Sequence, residues 1–326
     1  MLEKKLTIVT SVFQGEKYLK KFLENMMKLN NKDECQLFLV VNEATDGEKR
    51  IIDPYTRMDQ DFIIPHYLDF RETIGSSTNR GYQLADTEYL AYTDVDDTRP
   101  ADAFVELLQT LEKNPDIDFT YGNFLVVPEQ GATKGHLIET IEFDLNEFTR
   151  SSHVGPGHCF RRSLLKQCGY WDEQLRSGGD FDFQIRAAFH GKFKKTYKNV
   201  AYYTSDQTQS ASSTSWQAID ALTICLRYGI YDKLAFYLSY LPETSNYRIN
   251  EILQQGEWYS ISEFIPDYMN FLSDRRDLIS KSMKGMSYKW TKDQIDSFVF
   301  SGLEKMHLLN LLKSSRDLVR KFRETG

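Results

Sequence analysis

Several kinds of feature are scarce in this chain of 326 residues, and each scarcity excludes something. Cysteine appears four times, at Cys35, Cys159, Cys168 and Cys225, without paired metal-site spacing and without the density of a secreted disulfide scaffold, so free thiols are expected. No apolar run approaches the ~20 residues of a membrane span. Met1-Leu2-Glu3-Lys4-Lys5 leads into a strand-like segment with no signal-peptide core, and the expectation is a cytoplasmic protein. Positive charge is not in excess: the net charge is -7, and no nucleic-acid partner is expected. The first strand is not followed by a basic, glycine-rich phosphate loop, which counts against a nucleotidyltransferase. No internal repeat or low-complexity segment occurs.

Charge is unevenly spread. Residues 1–210 carry 25 basic and 33 acidic side chains, whereas the tail from Arg275 to Gly326 carries 12 and 6. An acidic body that meets an anionic ligand needs a cation. For the basic tail the readings are a solvated helix face or a peripheral contact with an acidic surface, such as the inner face of the membrane.

The composition is that of a globular protein, with 41% hydrophobic and 27% charged residues. Leu6 to Phe13 is a β-branched, apolar strand candidate that ends in Gln14-Gly15-Glu16. Tyr18, Phe22 and Met26, with Leu19, Leu23 and Met27, recur at helical spacing. Strands follow at Gln36 to Val41, Asp61 to Tyr67 and Tyr89 to Thr93, with a polar turn over residues 42–47 and a helix over Gly75 to Leu84. Further on come a helix over Ala103 to Lys113, strands at Ile117 to Val127 and Gly135 to Ile141, and a helix ending at Gly191. This alternation predicts an α/β fold, a mostly parallel sheet with helices on both faces. From about Ser212 successive helices replace it, which predicts a first domain over 1–211 and a helical appendage over 212–326.

Ligands in such sheets bind at the carboxyl ends of the strands, where Thr10, Ser11, Glu43, Asp94 and Asp96 fall. Asp94-Val95-Asp96-Asp97 sets three carboxylates within four residues at one such end. Like charges ~4 Å apart repel by several kcal/mol at intermediate dielectric, so a divalent metal is the obvious guest. In an extended segment Asp94 and Asp96 share a face. Asp97 is expected to cap the helix that Pro100-Ala101-Asp102 opens.

The order of elements resembles the GT-A fold of glycosyltransferase family 2 over roughly residues 5–211. Four stretches carry the resemblance: Ile8 to Glu16, Ser77-Thr78-Asn79-Arg80-Gly81, Asp94-Val95-Asp96-Asp97, and Phe160-Arg161-Arg162-Ser163 through Gly169-Tyr170-Trp171-Asp172 to Gly179-Asp180-Phe181-Asp182. It implies a sugar nucleotide, usually a UDP-sugar, bound on the first half with Mn²⁺ or Mg²⁺, and inverting transfer assisted by a carboxylate base. By position, Asp94 would contact ribose or metal, Asp96 would be the main metal ligand and Asp180 the base. Glu43, Asn79 and Arg80 would contact the donor, and Asp206 is a further candidate ligand. Glu43, Thr78 and Gly179 depart from the usual residues. Asp182 is expected to act on the helix dipole, and Trp171 to close the core rather than stack on a sugar. The Gln-x-x-Arg-Trp motif of polymer-building members is absent, so transfer of one sugar to a hydroxyl of a glycan, glycolipid or glycoprotein is expected. The rival reading is an inactive scaffold or carbohydrate-binding module.

Overall fold

A computed structural model describes residues 3–205, 215–230 and 243–275. The chain divides into two compact units, one of Met1–Glu173 with Gly179–Ser210, the other of Gln174–Gly178 with Ala211–Gly326.

The first unit opens with β1 (Leu6–Val12), α1 (Glu16–Met26), β2 (Cys35–Val41), α2 (Asp46–Met58), β3 (Ile63–Tyr67), α3 (Ile74–Leu84) and β4 (Tyr89–Tyr92). There follow α4 (Ala103–Glu112), β5 (Phe119–Val127), β6 (His136–Ile138), α5 (Leu145–Phe148), β7 (His158–Arg161), α6 (Leu165–Cys168), α7 (Gly179–His190) and β8 (Phe193–Thr204). All eight strands join one sheet in the order β3-β2-β1-β4-β7-β5-β6, with β8 paired to β5. β1, β2, β3 and β4 are mutually parallel neighbours, while β7 runs antiparallel to both β4 and β5. The fold is therefore α/β with a mostly parallel centre.

Period-two alternation along β1 builds two cores. Leu6, Ile8 and Val12 meet Leu19, Phe22 and Leu23 of α1 and Phe104, Leu107 and Leu111 of α4 on one face. Val9 turns to the other face, with Tyr82, Leu90, Tyr92, Phe160 and Phe183. Burying each such side chain contributes ~1.5–3 kcal/mol, so two continuous cores specify the register of the central strands strongly. Gly81 lets α3 lie against β1, since a Cβ there would stand 2.5 Å from the Val9 side chain. The four cysteines are free and buried. Burial pushes the Cys35 and Cys168 thiols up to about 12, which makes them unreactive packing groups.

In the first unit α2 and β8 depart from the sequence pattern. α2 fills the stretch after the expected turn, starting at a capping box in which Thr45 accepts from the Glu48 N–H and Glu48 from that of Thr45. β8 covers a lysine-rich segment; its buried residues Phe193, Thr196, Val200, Ala201 and Thr204 do not alternate, and its pairing with β5 is irregular at Gly122 and Asn123.

The second unit contains α8 (Ser215–Tyr228) and a short helix Tyr268–Asp274, but it departs from the expected run of helices: β9 (Glu251–Gln254) and β10 (Glu257–Ser260) form an antiparallel hairpin, too short for their apolar residues to show a period. Buried Arg227 donates to the carbonyls of Ile249 (2.7 Å) and Glu251 (2.9 Å) and ties the hairpin to α8. Arg275 does not belong to a solvated basic face: it is buried and donates to the Tyr228 carbonyl at 2.8 Å. The remainder of the basic tail lies outside the described residues. Among the described residues no helix is long and apolar enough to cross a membrane.

Candidate active site

The parallel strands β1, β2 and β4 deliver their carboxyl ends to one edge of the sheet, where the chain order reverses around β1. Beyond β4, the Asp94–Asp97 turn is clamped through its backbone. Thr204 at the end of β8 donates its hydroxyl to the Asp96 carbonyl (2.7 Å), and the Gln130 amide donates to the Val95 carbonyl (2.9 Å). Asp97 takes no part in a helix cap. It is buried, and its Oδ1 accepts the Thr204 N–H at 2.9 Å, joining the acidic turn to the β8 terminus 107 positions away. α4 begins instead after Asp102, without a side-chain cap.

Asp94 accepts the Tyr92 hydroxyl at 2.5 Å. Burial raises the Asp94 carboxyl, against the Tyr92 hydrogen bond and the nearby Arg99 guanidinium, which hold it down. Burial also drives Asp97 well above the carboxylate range, reinforced by Asp94 and Asp96. Arg99 is the built-in counter-charge: it donates to the Thr93 hydroxyl (2.8 Å) and the Pro156 carbonyl (2.6 Å). The Tyr92 phenol is held neutral, first by burial and then by the carboxylates of Asp94, Asp180 and Asp96. Gly179, which opens α7, lies against Trp171, where an added Cβ would stand 2.9 Å from the ring, and Trp171 lies 5.0 Å from the Tyr92 ring, so α7 brings Asp180, 86 residues after Asp94, toward the acidic turn. Asp180 is exposed, as a group that meets a substrate must be.

The other expected site residues divide. Glu43 is exposed at the end of β2 in a left-handed conformation (φ 46°), its N–H donating to the Phe70 carbonyl at 3.1 Å. Thr10 is fully buried within β1. The Ser11 hydroxyl accepts from Asn42 (3.4 Å), a buried amide that also reaches Ser77 (3.0 Å) and the N–H of Glu72 (2.9 Å). Asn79 is buried, and its amide is spent on the Trp171–Glu173 segment: it donates to the Trp171 carbonyl and the Glu173 carboxylate and accepts the Trp171 N–H, each at 2.9 Å. Through these bonds it braces the loop. Arg80 is paired with Glu72 through two hydrogen bonds, so its charge is committed within the protein. Asp206 lies outside the described residues.

Asp182 departs most from expectation. It is wholly buried and forms a two-pronged ion pair with Arg186 (3.0 and 2.8 Å), whose remaining donors reach the Cys168 and Tyr170 carbonyls. Trp171 is buried against Tyr92, 5.0 Å between rings, and belongs to the core.

Two residues at this edge escaped sequence reasoning. The Arg71 guanidinium lies over the Phe13 ring at 3.8 Å, just past the ends of β3 and β1 and beside the loop that carries Glu43. An aromatic face, a cation and a carboxylate form the kind of platform on which a planar, hydrogen-bonding base stacks. The signal available was positional: Phe13 directly follows β1, and Arg71 lies in the loop that leaves β3, on the same edge of the sheet.

Among the described residues no three His, Cys, Asp or Glu side chains form a ready-made metal cage. A hard dication that keeps several waters and takes one or two carboxylates plus phosphate oxygens needs no such cage. The all-oxygen pair Asp94 and Asp96, half-buried beside the unpartnered Asp97 Oδ2, fits that requirement.

The sequence pattern of glycosyl transferase family 2 matches residues 7–169, half of the chain. The chain belongs to glycosyl transferase family 2. An uncharacterized glycosyltransferase of Methanocaldococcus jannaschii is 25% identical over 185 residues, which is 55% of this family-2 chain and 62% of that relative. The match thus spans less than two thirds of the curated relative. Among solved structures, S. aureus TarS 1–349 in complex with UDP-GlcNAc superposes with a TM-score of 0.62 at 16% identity, covering 99% of this chain and 92% of TarS. The mannosyltransferase PcManGT from Pyrobaculum calidifontis, in complex with GDP-Man and Mn²⁺, gives 0.53 at 12% identity, covering 95% and 86%. Identities this low establish the GT-A fold of the family-2 chain and nothing finer.

Proposed function

We propose that this protein transfers one sugar, with inversion, from a UDP-sugar to a hydroxyl of a glycan, glycolipid or glycoprotein acceptor. The observation that carries this reading is the Asp94–Asp96 turn at the carboxyl edge of the sheet, with Asp94 on the Tyr92 hydroxyl and the start of α7, which carries Asp180, packed through Trp171 against the same tyrosine. Family membership and structural neighbours bound to UDP-GlcNAc or GDP-Man support a nucleotide-sugar donor.

In this reading Phe13, Arg71 and Glu43 receive the base, with Arg71 offering hydrogen-bond donors and Glu43 an acceptor. Asp96, with Asp94, would hold Mg²⁺ or Mn²⁺, which when bound supplies positive charge against the diphosphate leaving group. Asp94 keeps one orientation because Tyr92 occupies its Oδ1. Asp180 accepts the proton of the incoming hydroxyl, a task for which an exposed carboxylate off the acidic turn is suited. We propose domain limits of 1–211 for the transferase and 212–326 for the appendage.

Turnover of a panel of nucleotide-sugars, including UDP-GlcNAc and GDP-Man, with and without Mn²⁺, tests the proposal. Metal-stimulated release of UDP from one UDP-sugar is expected. Binding of UDP without turnover of any donor would sink it in favour of an inactive scaffold.

A further inference from the structure

Five residues just ahead of Asp180, Gln174–Gly178, group with the second unit although the chain on both sides belongs to the first. One side chain accounts for most of this. Asp220 of α8, fully buried, accepts the consecutive N–H groups of Arg176 (2.7 Å), Ser177 (2.5 Å) and Gly178 (3.1 Å) on Oδ2, and the Tyr247 hydroxyl (2.9 Å) on Oδ1. Burial raises its carboxyl, and the four hydrogen bonds oppose that shift. Around this grip, Gln174 donates to the Glu251 carbonyl (2.9 Å) and accepts the Arg248 N–H (2.9 Å), and the Arg176 guanidinium stacks on Trp216 at 3.6 Å. Gly178 has no room for a side chain: a Cβ would stand 2.9 Å from Ile224 Cδ1 and 3.3 Å from the Asp220 Cβ. The next residue, Gly179, opens α7, and the one after it is Asp180.

We infer that Asp220 is a positioning residue for the base, and that the C-terminal unit contributes to sugar transfer by fixing the three peptides that lead into the first turn of α7. The route is covalent, through Gly178-Gly179-Asp180, and requires no contact between Asp220 and substrate. Three N–H groups converging on one carboxylate oxygen set the direction of the chain at this point, and misplacing a reacting group by ~1 Å can cost ~10²-fold in rate. The inference rests on Asp180 being the base.

The test uses the full chain as Asp220→Ala, Asp220→Asn, Gly178→Ala, Asp180→Asn and the double variant Asp180→Asn with Asp220→Ala. The readouts are hydrolysis of the nucleotide-sugar turned over fastest in the panel, UDP affinity by calorimetry, and hydrogen exchange of the 176–184 amides. Asp220→Ala, which orphans three N–H groups, is expected to lower kcat by about 10- to 10²-fold and speed that exchange while UDP affinity holds. Asp220→Asn, which still offers an oxygen to the loop, recovers most of the rate. Gly178→Ala, which displaces the loop without orphaning any group, repeats the kcat loss should the Asp220→Ala protein fail to fold. In the Asp180→Asn background Asp220→Ala costs less than about twofold, because residues acting through one another are not additive. Unchanged kcat in folded Asp220→Ala or Gly178→Ala, or additive losses in the double variant, overturns the positioning role while leaving the base in place. Wild-type turnover in Asp180→Asn overturns the base, and the inference with it.

Discussion

At the scale of single residues, the two aspartates of α7 have opposite fates. Asp180→Asn preserves size and removes the basic lone pair, so turnover should fall ~10²–10⁴-fold while calorimetry shows UDP binding intact. Asp182 would matter little if it served only the helix dipole, worth ~0.3–1 kcal/mol. Its buried pairing with Arg186 changes the expectation: Asp182→Ala leaves a guanidinium uncompensated, which costs ~3–5 kcal/mol, and the melting temperature should drop steeply. An Asp182→Ala protein melting within a degree of wild type would refute the structural role. His158 gives the matching acid-side prediction. Buried on β7 and stacked on Phe119, it is lowered to about 3 by desolvation and by Arg99, with the Gly155 carbonyl weakly opposed. The native state therefore holds a neutral imidazole, while the unfolded chain binds a proton below about 6.5. The contribution of His158 is complete above pH 6.5 and is lost as pH falls toward 3, at no more than about 1.4 kcal/mol per pH unit. Thermal melts of His158→Phe should be flatter than wild type between pH 6.5 and 4; parallel curves would remove His158 as the cause.

Among elements, the consequential ones are the loops leaving β1, β2 and β3. They are short and anchored: Asn42 ties the β2 end to Ser77 of α3 and to Glu72, and the Glu43 N–H is tied to Phe70. Phe13, Glu43 and Arg71 are thus presented by rigid strands and not by a wandering segment. Replacing exposed Arg71 with Ala removes the charged donor proposed for the base, worth ~1.5–3 kcal/mol, so UDP affinity should weaken about 10- to 150-fold. Calorimetry with UDP and with an inorganic diphosphate separates the cases, since a base contact weakens only the first. Asn79→Ala should behave in the opposite way. It severs α3 from the Trp171–Glu173 loop and should cost stability ahead of donor affinity.

For the whole molecule, an acidic protein of net charge -7 is asked to hold a diphosphate beside three aspartates. Arg99 offsets part of that charge from within, but its guanidinium is committed to Thr93 and Pro156. Removing divalent metal with a chelator should therefore weaken UDP binding at least ~10-fold, and Mn²⁺ or Mg²⁺ should restore it. Equal affinity with and without chelator would contradict the assignment of Asp94 and Asp96.

Sequence alone was sufficient for the alternation of strands and helices, the mostly parallel sheet and the family resemblance, because the period of apolar residues is a local property that β1, α1 and β4 display strongly. It was also sufficient to mark Asp94 and Asp96 as candidates, since strand ends and clustered like charges are visible in one dimension, whereas Asp180 was marked by the family resemblance alone. It could not tell a site residue from a brace. Thr10 and Asn79 lie in the matching motifs, yet which face of a strand or helix they occupy depends on what packs there, and both are buried. Asp97 found its partner in Thr204, and Asp182 its own in Arg186, where burial makes the loss of one partner far costlier than the loss of a surface helix term. α2 and β8 were hidden for a related reason: the first is held by a capping box and the second by pairing with β5, and neither carries a clean hydrophobic period of its own. The coming together of Phe13 with Arg71, and of Asp220 with the loop before Asp180, joins residues tens of positions apart, and only the tertiary structure brings such groups within reach of one another.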